Sequence, residues 1–158
     1  MSLNVIELND TGLRVTWVPE VLREWCIHVG RTPRPHEQAA ILRGQHDRIE
    51  AAAATHDVVV CDTTAMMTAV YSRLLFADRS LEERAVALQR RMALTLLTAL
   101  DLPWVADPQR YLPEERQSFL DECRKQLEKY KRPYVLIGGA SFDERTKNAI
   151  AACQKILL

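Results

Sequence analysis

Apolar positions along the chain change period several times, and each change marks an element. Leu13 to Val18 alternates apolar and polar side chains and includes β-branched residues, which predicts a strand. Pro19 opens a helical pattern over Glu20 to Val29, with Val21, Leu22, Trp25 and Val29 on one face and Gly30 as the stop. Thr32-Pro-Arg-Pro35 breaks the chain. A second helix is predicted from Pro35 to Thr55, with Ala39, Leu42, Ile49 and Ala53 facing inward. Asp57-Val-Val-Val-Cys61 is the short continuous apolar run expected of a strand buried on both faces. A helix follows from Ala65 to Phe76. Leu81 to Leu100 fits two descriptions: one long helix, or a helix to Arg91 followed by a buried strand from Met92 to Thr98. Leu102 to Arg110, with two prolines, reads as a loop. Pro113 starts a charged helix to Arg132, in which Asp121–Lys125 and Glu128–Arg132 are spaced as favourable i,i+4 pairs. Pro133 to Ile137 is another buried-type strand, closed by Gly138-Gly139. Ser141-Phe-Asp-Glu144 then forms a capping box for a helix that runs to the C-terminus.

Strands that alternate with helices imply parallel pairing through crossover helices, hence an α/β fold of three layers. The 158 residues show no internal repeat and no linker, so residues 1–158 read as a single domain. Composition adds mainly exclusions. Apolar residues at 47% and charged residues at 27% are ordinary for a globular chain and leave no case for disorder. Lys plus Arg equals Asp plus Glu at 21 each, so the basic excess of a nucleic-acid or anionic-membrane binder is absent. The four cysteines lie far apart in sequence, the N-terminus has no leader-like pattern, and the apolar stretch from Met92 to Leu100 is too short to span a bilayer. The expectation is a reduced, cytoplasmic protein that engages neither membrane nor nucleic acid. Only five residues are glycine, the residue from which phosphate-cradling loops are built.

Val58-Val-Val-Cys-Asp62 carries the clearest chemical signal. An apolar strand ending in aspartate has the form of a Walker-B element, whose carboxylate holds Mg²⁺ directly or through water. Ligands of open α/β sheets bind beyond such strand ends. Asp62 would equally suit a plain structural task, capping the helix that follows. The motif that normally accompanies a Walker-B strand, Gly-x-x-x-x-Gly-Lys-Ser/Thr, does not occur. The nearest stretch, Glu7-Leu-Asn-Asp-Thr-Gly12, is followed by Leu13 where lysine should stand. Cys26 with His28, and Cys61 with His56, lack zinc-site spacing and read as structural. No Gly-x-Ser-x-Gly elbow is present. Trp17 and Trp25 read as core, whereas Trp104 lies in a loop, where an aromatic ring can stack on a ligand. Arg110 and Arg116 flank the same loop, and arginines on such a segment can clamp phosphates.

Taken together, these segments resemble the ribosylnicotinamide kinase domain of NadR-type proteins, a family of P-loop small-molecule kinases. The resemblance rests on Thr16-Trp-Val-Pro-Glu-Val-Leu-Arg-Glu24, Gly44-Gln45, Val60-Cys-Asp-Thr63, Pro103-Trp-Val-Ala-Asp-Pro-Gln-Arg110, and Lys129-Tyr-Lys-Arg-Pro-Tyr134 with the capped terminal helix. It covers about Val15 to the C-terminus and favours a strand over Met92 to Thr98. It implies a three-layer parallel sheet of P-loop-kinase type and transfer of the γ-phosphate of ATP, with Mg²⁺, onto the 5′-hydroxyl of nicotinamide riboside. Asp62 would serve Mg²⁺ or the nucleoside hydroxyl, Glu20 and Arg23 would line the acceptor site, Arg110 would be a lid arginine, and Trp104 would pack near the nucleoside or only support the lid. Two departures stand out. The family's first strand, phosphate loop and first helix are missing or collapsed into residues 3–12. In the loop motif, Ala106 replaces an acidic residue and Pro108 a glycine. The resulting expectation is a nucleoside-binding or nucleotide-binding relative in which ATP binding and catalysis are impaired, or a non-catalytic module that keeps the acceptor pocket for a nucleoside or a protein. A sheet without its central strand would also favour a homodimer, or a closed-up sheet in which Leu3 to Leu8 fill the slot.

Overall fold

The computed structural model describes residues 12–103 and 115–157. In chain order these form strand β1 (Val15–Val18), helix α1 (Val21–Val29), a 3₁₀ turn (Pro35–Glu37), α2 (Gln38–Ala53), β2 (Val58–Cys61), α3 (Ala65–Phe76), α4 (Glu82–Gln89), β3 (Thr95–Thr98), α5 (Arg116–Lys129), β4 (Tyr134–Ile137) and α6 (Phe142–Leu157). The ambiguous stretch therefore resolves into a helix and a strand. The prolines that restart the chain at 33 and 35 shape the 3₁₀ turn, so α2 itself begins at Gln38. Gly30 ends α1 in the left-handed conformation, its N–H returning 2.8 Å to the Cys26 carbonyl. The expected start of α5 at Pro113 lies outside the described residues, as does most of the Glu7–Gly12 stretch.

Both strand pairings are parallel, and the crossovers between paired strands contain helices. β1 pairs with β2 in the register Val15↔Val58 to Val18↔Cys61, and β3 pairs with β4 from Thr95↔Tyr134 to Thr98↔Ile137. Among the described residues the four strands thus make two two-stranded sheets, not the single three-layer sheet expected. Arg14 and Asp57 clip the leading ends of the first pair. The Arg14 backbone N–H and Nε each donate to Asp57 Oδ2 at 2.9 Å, and Nη2 donates to Oδ1 at 2.8 Å. This fork, with its backbone bond, holds the Asp57 carboxyl well below the usual range.

Helix α6 joins the two pairs. Its Ala149, Ile150 and Ala152 bury with Ile137, and Val15 and Val60 of the first pair and Leu96 of the second pack against that cluster. A second cluster sets Leu42 of α2 against Ala65, Ala69 and Ala85. A third sets Val70 and Leu97 against Cys123 and Leu127. Arg73 of α3 ties three helices, with Nη1 3.0 Å from Glu82 of α4 and 3.0 Å from Glu122 of α5.

Several sequence expectations are corrected. β2 is half-buried at every position instead of buried on both faces, and β4 exposes Val135 and Leu136; among the described residues each has a strand partner on one side only. Val29 is exposed, and Cys26 is the buried residue of α1. In α2, Leu42 and Ile49 face inward but Ala53 is exposed, while two polar residues, Gln38 and Gln45, are buried. Trp17 and Trp25 are half-buried, the latter stacking under the Arg31 guanidinium at 5.0 Å. The Glu128–Arg132 pair does not form: Glu128 accepts from Tyr134 Oη at 2.6 Å, and Arg132 donates to the carbonyls of Arg90 and Met92. Half of the capping box expected at α6 forms: Ser141 Oγ accepts from the Glu144 N–H at 3.2 Å, while the Glu144 carboxylate accepts from the preceding Ala140 N–H at 2.8 Å instead of from that of Ser141.

Candidate functional site at the carboxyl ends of β1 and β2

β1 leads through Pro19 directly into Glu20, the residue before α1, and β2 leads into Asp62. Because the strands are parallel and in register, both carboxylates stand at the same edge of the pair, with the Asp62 N–H donating 2.8 Å to the Val18 carbonyl. This is the edge at which open α/β sheets bind ligands. Arg23, one turn into α1, places Nε 3.7 Å from Glu20 Oε2. The Glu20 side chain is 14% exposed and that of Arg23 is 43% exposed, so the acid lies beneath and the base reaches outward. Glu20, Arg23 and Asp62 are thus brought to one end of one sheet. Trp104 and Arg110 lie outside the described residues.

Gln45 fixes the turn that carries Glu20. Its Oε1 accepts from the Val21 N–H at 2.8 Å and its Nε2 donates to the Pro19 carbonyl at 3.3 Å, so one side chain from α2 grips both sides of Glu20. Burial makes this grip selective, because both backbone groups would otherwise need water. Gly44 beside it leaves room for the Val21 side chain, which a Cβ would touch at 3.4 Å.

The surroundings of Asp62 decide between its two sequence readings. The residue that caps α3 is Thr64, and neither it nor Asp62 makes a side-chain cap hydrogen bond. Thr64 Oγ1 instead donates 2.8 Å to Gln89 Oε1, and Gln89 Nε2 donates 2.9 Å to Thr95 Oγ1, a partly buried relay from the end of β2 through α4 to the start of β3. The half-buried Asp62 carboxylate makes no hydrogen bond or ion pair among the described residues. Thr63, between them, holds φ at 64°, a left-handed conformation that a β-branched residue adopts only under constraint. Burial, and then the charge of Asp62, pushes the neighbouring Cys61 thiol up to about 11. Burial, and then Glu20, likewise raises Cys26.

A lone carboxylate at a strand end is a hard oxygen donor of the kind Mg²⁺ accepts, since that ion is commonly held by one or two carboxylates plus substrate phosphates. No group of three metal-capable side chains exists among the described residues. A small crevice between α3, α4 and α5, lined by Met66, Val70, Val86 and the Arg73–Glu82 pair, includes neither Glu20 nor Asp62. No described helix is long and apolar enough to cross a membrane. Sequence reasoning missed the Thr64–Gln89–Thr95 relay and the buried Arg145 of α6. The polar residue at 89 in an otherwise amphipathic helix was the one available signal for the relay.

Short parallel strands with helical crossovers, and carboxylates gathered at one carboxyl edge, define a mixed α/β domain. A family model described as an AAA domain matches residues 2–145. The chain belongs to that family, which is P-loop NTPase-like, and its function is nucleotide-related at that level. No curated protein matches the chain.

Proposed function

We propose that this domain binds a nucleoside at the carboxyl ends of β1 and β2, in the manner of the acceptor half of a NadR-like ribosylnicotinamide kinase. The observation that carries this reading is the Asp62 carboxylate, set at the strand end beside Glu20 and engaged in no structural bond among the described residues. Glu20 and Arg23 would take the sugar hydroxyls, the acid accepting and the guanidinium donating. Asp62 would hold Mg²⁺ or accept from the nucleoside hydroxyl. Trp104 and Arg110 would complete the site, the ring against the nucleoside and the guanidinium on phosphate. Mg²⁺, when bound, would neutralise charge on transferring phosphate oxygens.

The triphosphate half is weak in these residues. Affinity for a triphosphate in this class comes chiefly from consecutive backbone N–H groups, a loop lysine and a hydroxyl on Mg²⁺, all borne on one motif that this sequence does not contain. MgATP is accordingly expected to bind no tighter than about millimolar, worth about 4 kcal/mol. Nicotinamide riboside is expected to remain unphosphorylated.

Isothermal titration with nicotinamide riboside, against wild type and Asp62→Ala, tests the acceptor site. The variant should lose at least ~10-fold in affinity, about 1.4 kcal/mol, while its unfolding free energy stays within ~0.5 kcal/mol of wild type. A large stability loss with unchanged affinity would return Asp62 to a structural role. Micromolar MgATP binding, or turnover in a coupled assay, would overturn the non-catalytic part.

A further inference from the structure

We propose that residues 99–101 after β3 and residues 138–140 after β4 form one conformational unit, closed by the Asp101 carboxylate and the Arg145 guanidinium, and that they open together. Arg145 sits in the first turn of α6 and is 6% exposed. Its Nη2 donates to the Ala99 carbonyl at 2.8 Å and to Asp101 Oδ1, both in the loop after β3. The second carboxylate oxygen, Asp101 Oδ2, accepts from the Gly139 N–H at 2.7 Å, in the loop after β4. One carboxylate therefore binds a side chain of α6 and the backbone of the β4 loop at once, and one guanidinium reaches across to both residues of the β3 loop.

Two of the five glycines are shaped around this clasp. A Cβ at Gly138 would stand 2.8 Å from Asp101 Oδ2. Gly139 has φ of +153°, and a Cβ there would meet the Arg145 backbone nitrogen at 3.1 Å. The carboxylate keeps a side chain from position 138, and the start of α6 together with the positive φ keeps one from position 139. Asn148 of α6 donates 2.9 Å to the Gly138 carbonyl, so the loop after β4 is held from α6 on one side and from Asp101 on the other. The arrangement carries a cost: Arg145 Nε is buried without a hydrogen-bond partner. Asp101, by contrast, keeps 42% of its side chain exposed, so water can compete for the carboxylate and the clasp has a route to open.

Coupling follows from this connectivity. Releasing the carboxylate removes one anchor from each loop in one event and frees the Ala99 N–H, 2.8 Å from the Ile137 carbonyl, to part at the end of the ladder, whereas the Thr95–Thr98 pairing behind it can persist. Both loops stand at the carboxyl edge of β3–β4, so whatever touches one is felt by the other.

Residue-resolved amide exchange on the full chain tests this. In wild type, the amides of 99–101 and 138–140 should share one opening equilibrium. Asp101→Asn should speed both sets by ~10-fold or more, the loss of a charge-assisted bond, with Val58–Cys61 unchanged. Arg145→Lys should give a smaller joint shift. The double variant should add little to the larger single effect, because both changes break one clasp. Separate opening equilibria in wild type, or acceleration of one loop alone in Asp101→Asn, would overturn the proposal. A uniform acceleration over all amides would also overturn it, by showing a merely global loss of stability. None of these outcomes depends on nucleoside binding.

Discussion

Helix α2 buries two glutamines to the same degree, Gln38 and Gln45 at 1% exposed each, yet only one of them is satisfied at its side-chain oxygen. Gln45 Oε1 accepts from the Val21 N–H, whereas Gln38 Oε1 has no hydrogen-bond partner. Methionine is close in volume to glutamine and cannot make these bonds, so the two substitutions separate hydrogen bonding from burial. Gln45→Met leaves the Val21 N–H without its acceptor in a partly buried turn, a penalty of about 1–3 kcal/mol. The bond to the Pro19 carbonyl is long at 3.3 Å and Pro19 is exposed, so water replaces it at little cost. The expected loss is about 2 kcal/mol, or about 4–8 °C in Tm for a domain of this size. Gln38→Met removes an oxygen that is already unsatisfied, and should be neutral or stabilising, within about 0.5 kcal/mol. Urea unfolding followed by circular dichroism gives both numbers, provided the slope against denaturant stays constant. Equal costs for the two variants would refute the reasoning, since burial alone would then explain both. Gln45→Met should also weaken nicotinamide riboside binding, because the turn that it releases carries Glu20.

Three further outcomes are expected. Thr63→Gly should raise stability by about 1 kcal/mol by relieving the left-handed β-branched residue, read as a higher urea midpoint; a lower midpoint would mean that the Thr63 side chain contributes more than its strain costs. Glu37, held down to about 2 first by the Arg31 fork and then by the Arg34 N–H, has a folded value below its unfolded one, so its contribution is present above about pH 4.5 and lost as pH falls toward 2. Glu37→Gln should therefore flatten the stability profile across that window, and an unchanged acid limb would remove Glu37 from the account. Burial pushes the Cys123 thiol up to about 12, with Glu122 adding to it, and Cys61 to about 11; both should resist alkylation at pH 8 until urea unfolds the chain, and rapid native labelling at either position by mass spectrometry would contradict that burial.

The elements were legible in the sequence because each has its own period or punctuation. Val15–Val18 alternates, Pro19 and Gly30 bracket α1, and Ser141 with Glu144 announces α6. What the sequence hid were partners distant along the chain. A run such as Val58–Cys61 requires apolar cover but does not say how many strands supply it, and here β2 has one strand partner among the described residues. The inward face of α2 was misread at Ala53 for a related reason: alanine is apolar enough to fit either side, while one buried position went to Gln45, whose value lies in bonds 24 and 26 residues away.

Asp62 shows how far such reasoning reaches. Aspartate at the end of an apolar strand, two residues before a helix, satisfies the sequence rule for a cap and the rule for a metal-holding carboxylate equally well. The rules part only when the neighbouring hydroxyl is located. Thr64 takes the cap position and then spends its hydroxyl on Gln89, leaving both the first turn of α3 and the Asp62 carboxylate without the bond that capping would supply. An aspartate that stabilised the helix would have collected that bond. One that leaves it unmade, behind a strained Thr63 and at the same strand edge as Glu20, fits the nucleoside-binding role proposed above. Among the described residues Glu20 and Asp62 disfavour a bare anion at that edge, and Arg23 stands with them. A ligand rich in hydroxyl donors, with its own anion held elsewhere or absent, fits that balance better than a bare phosphate does.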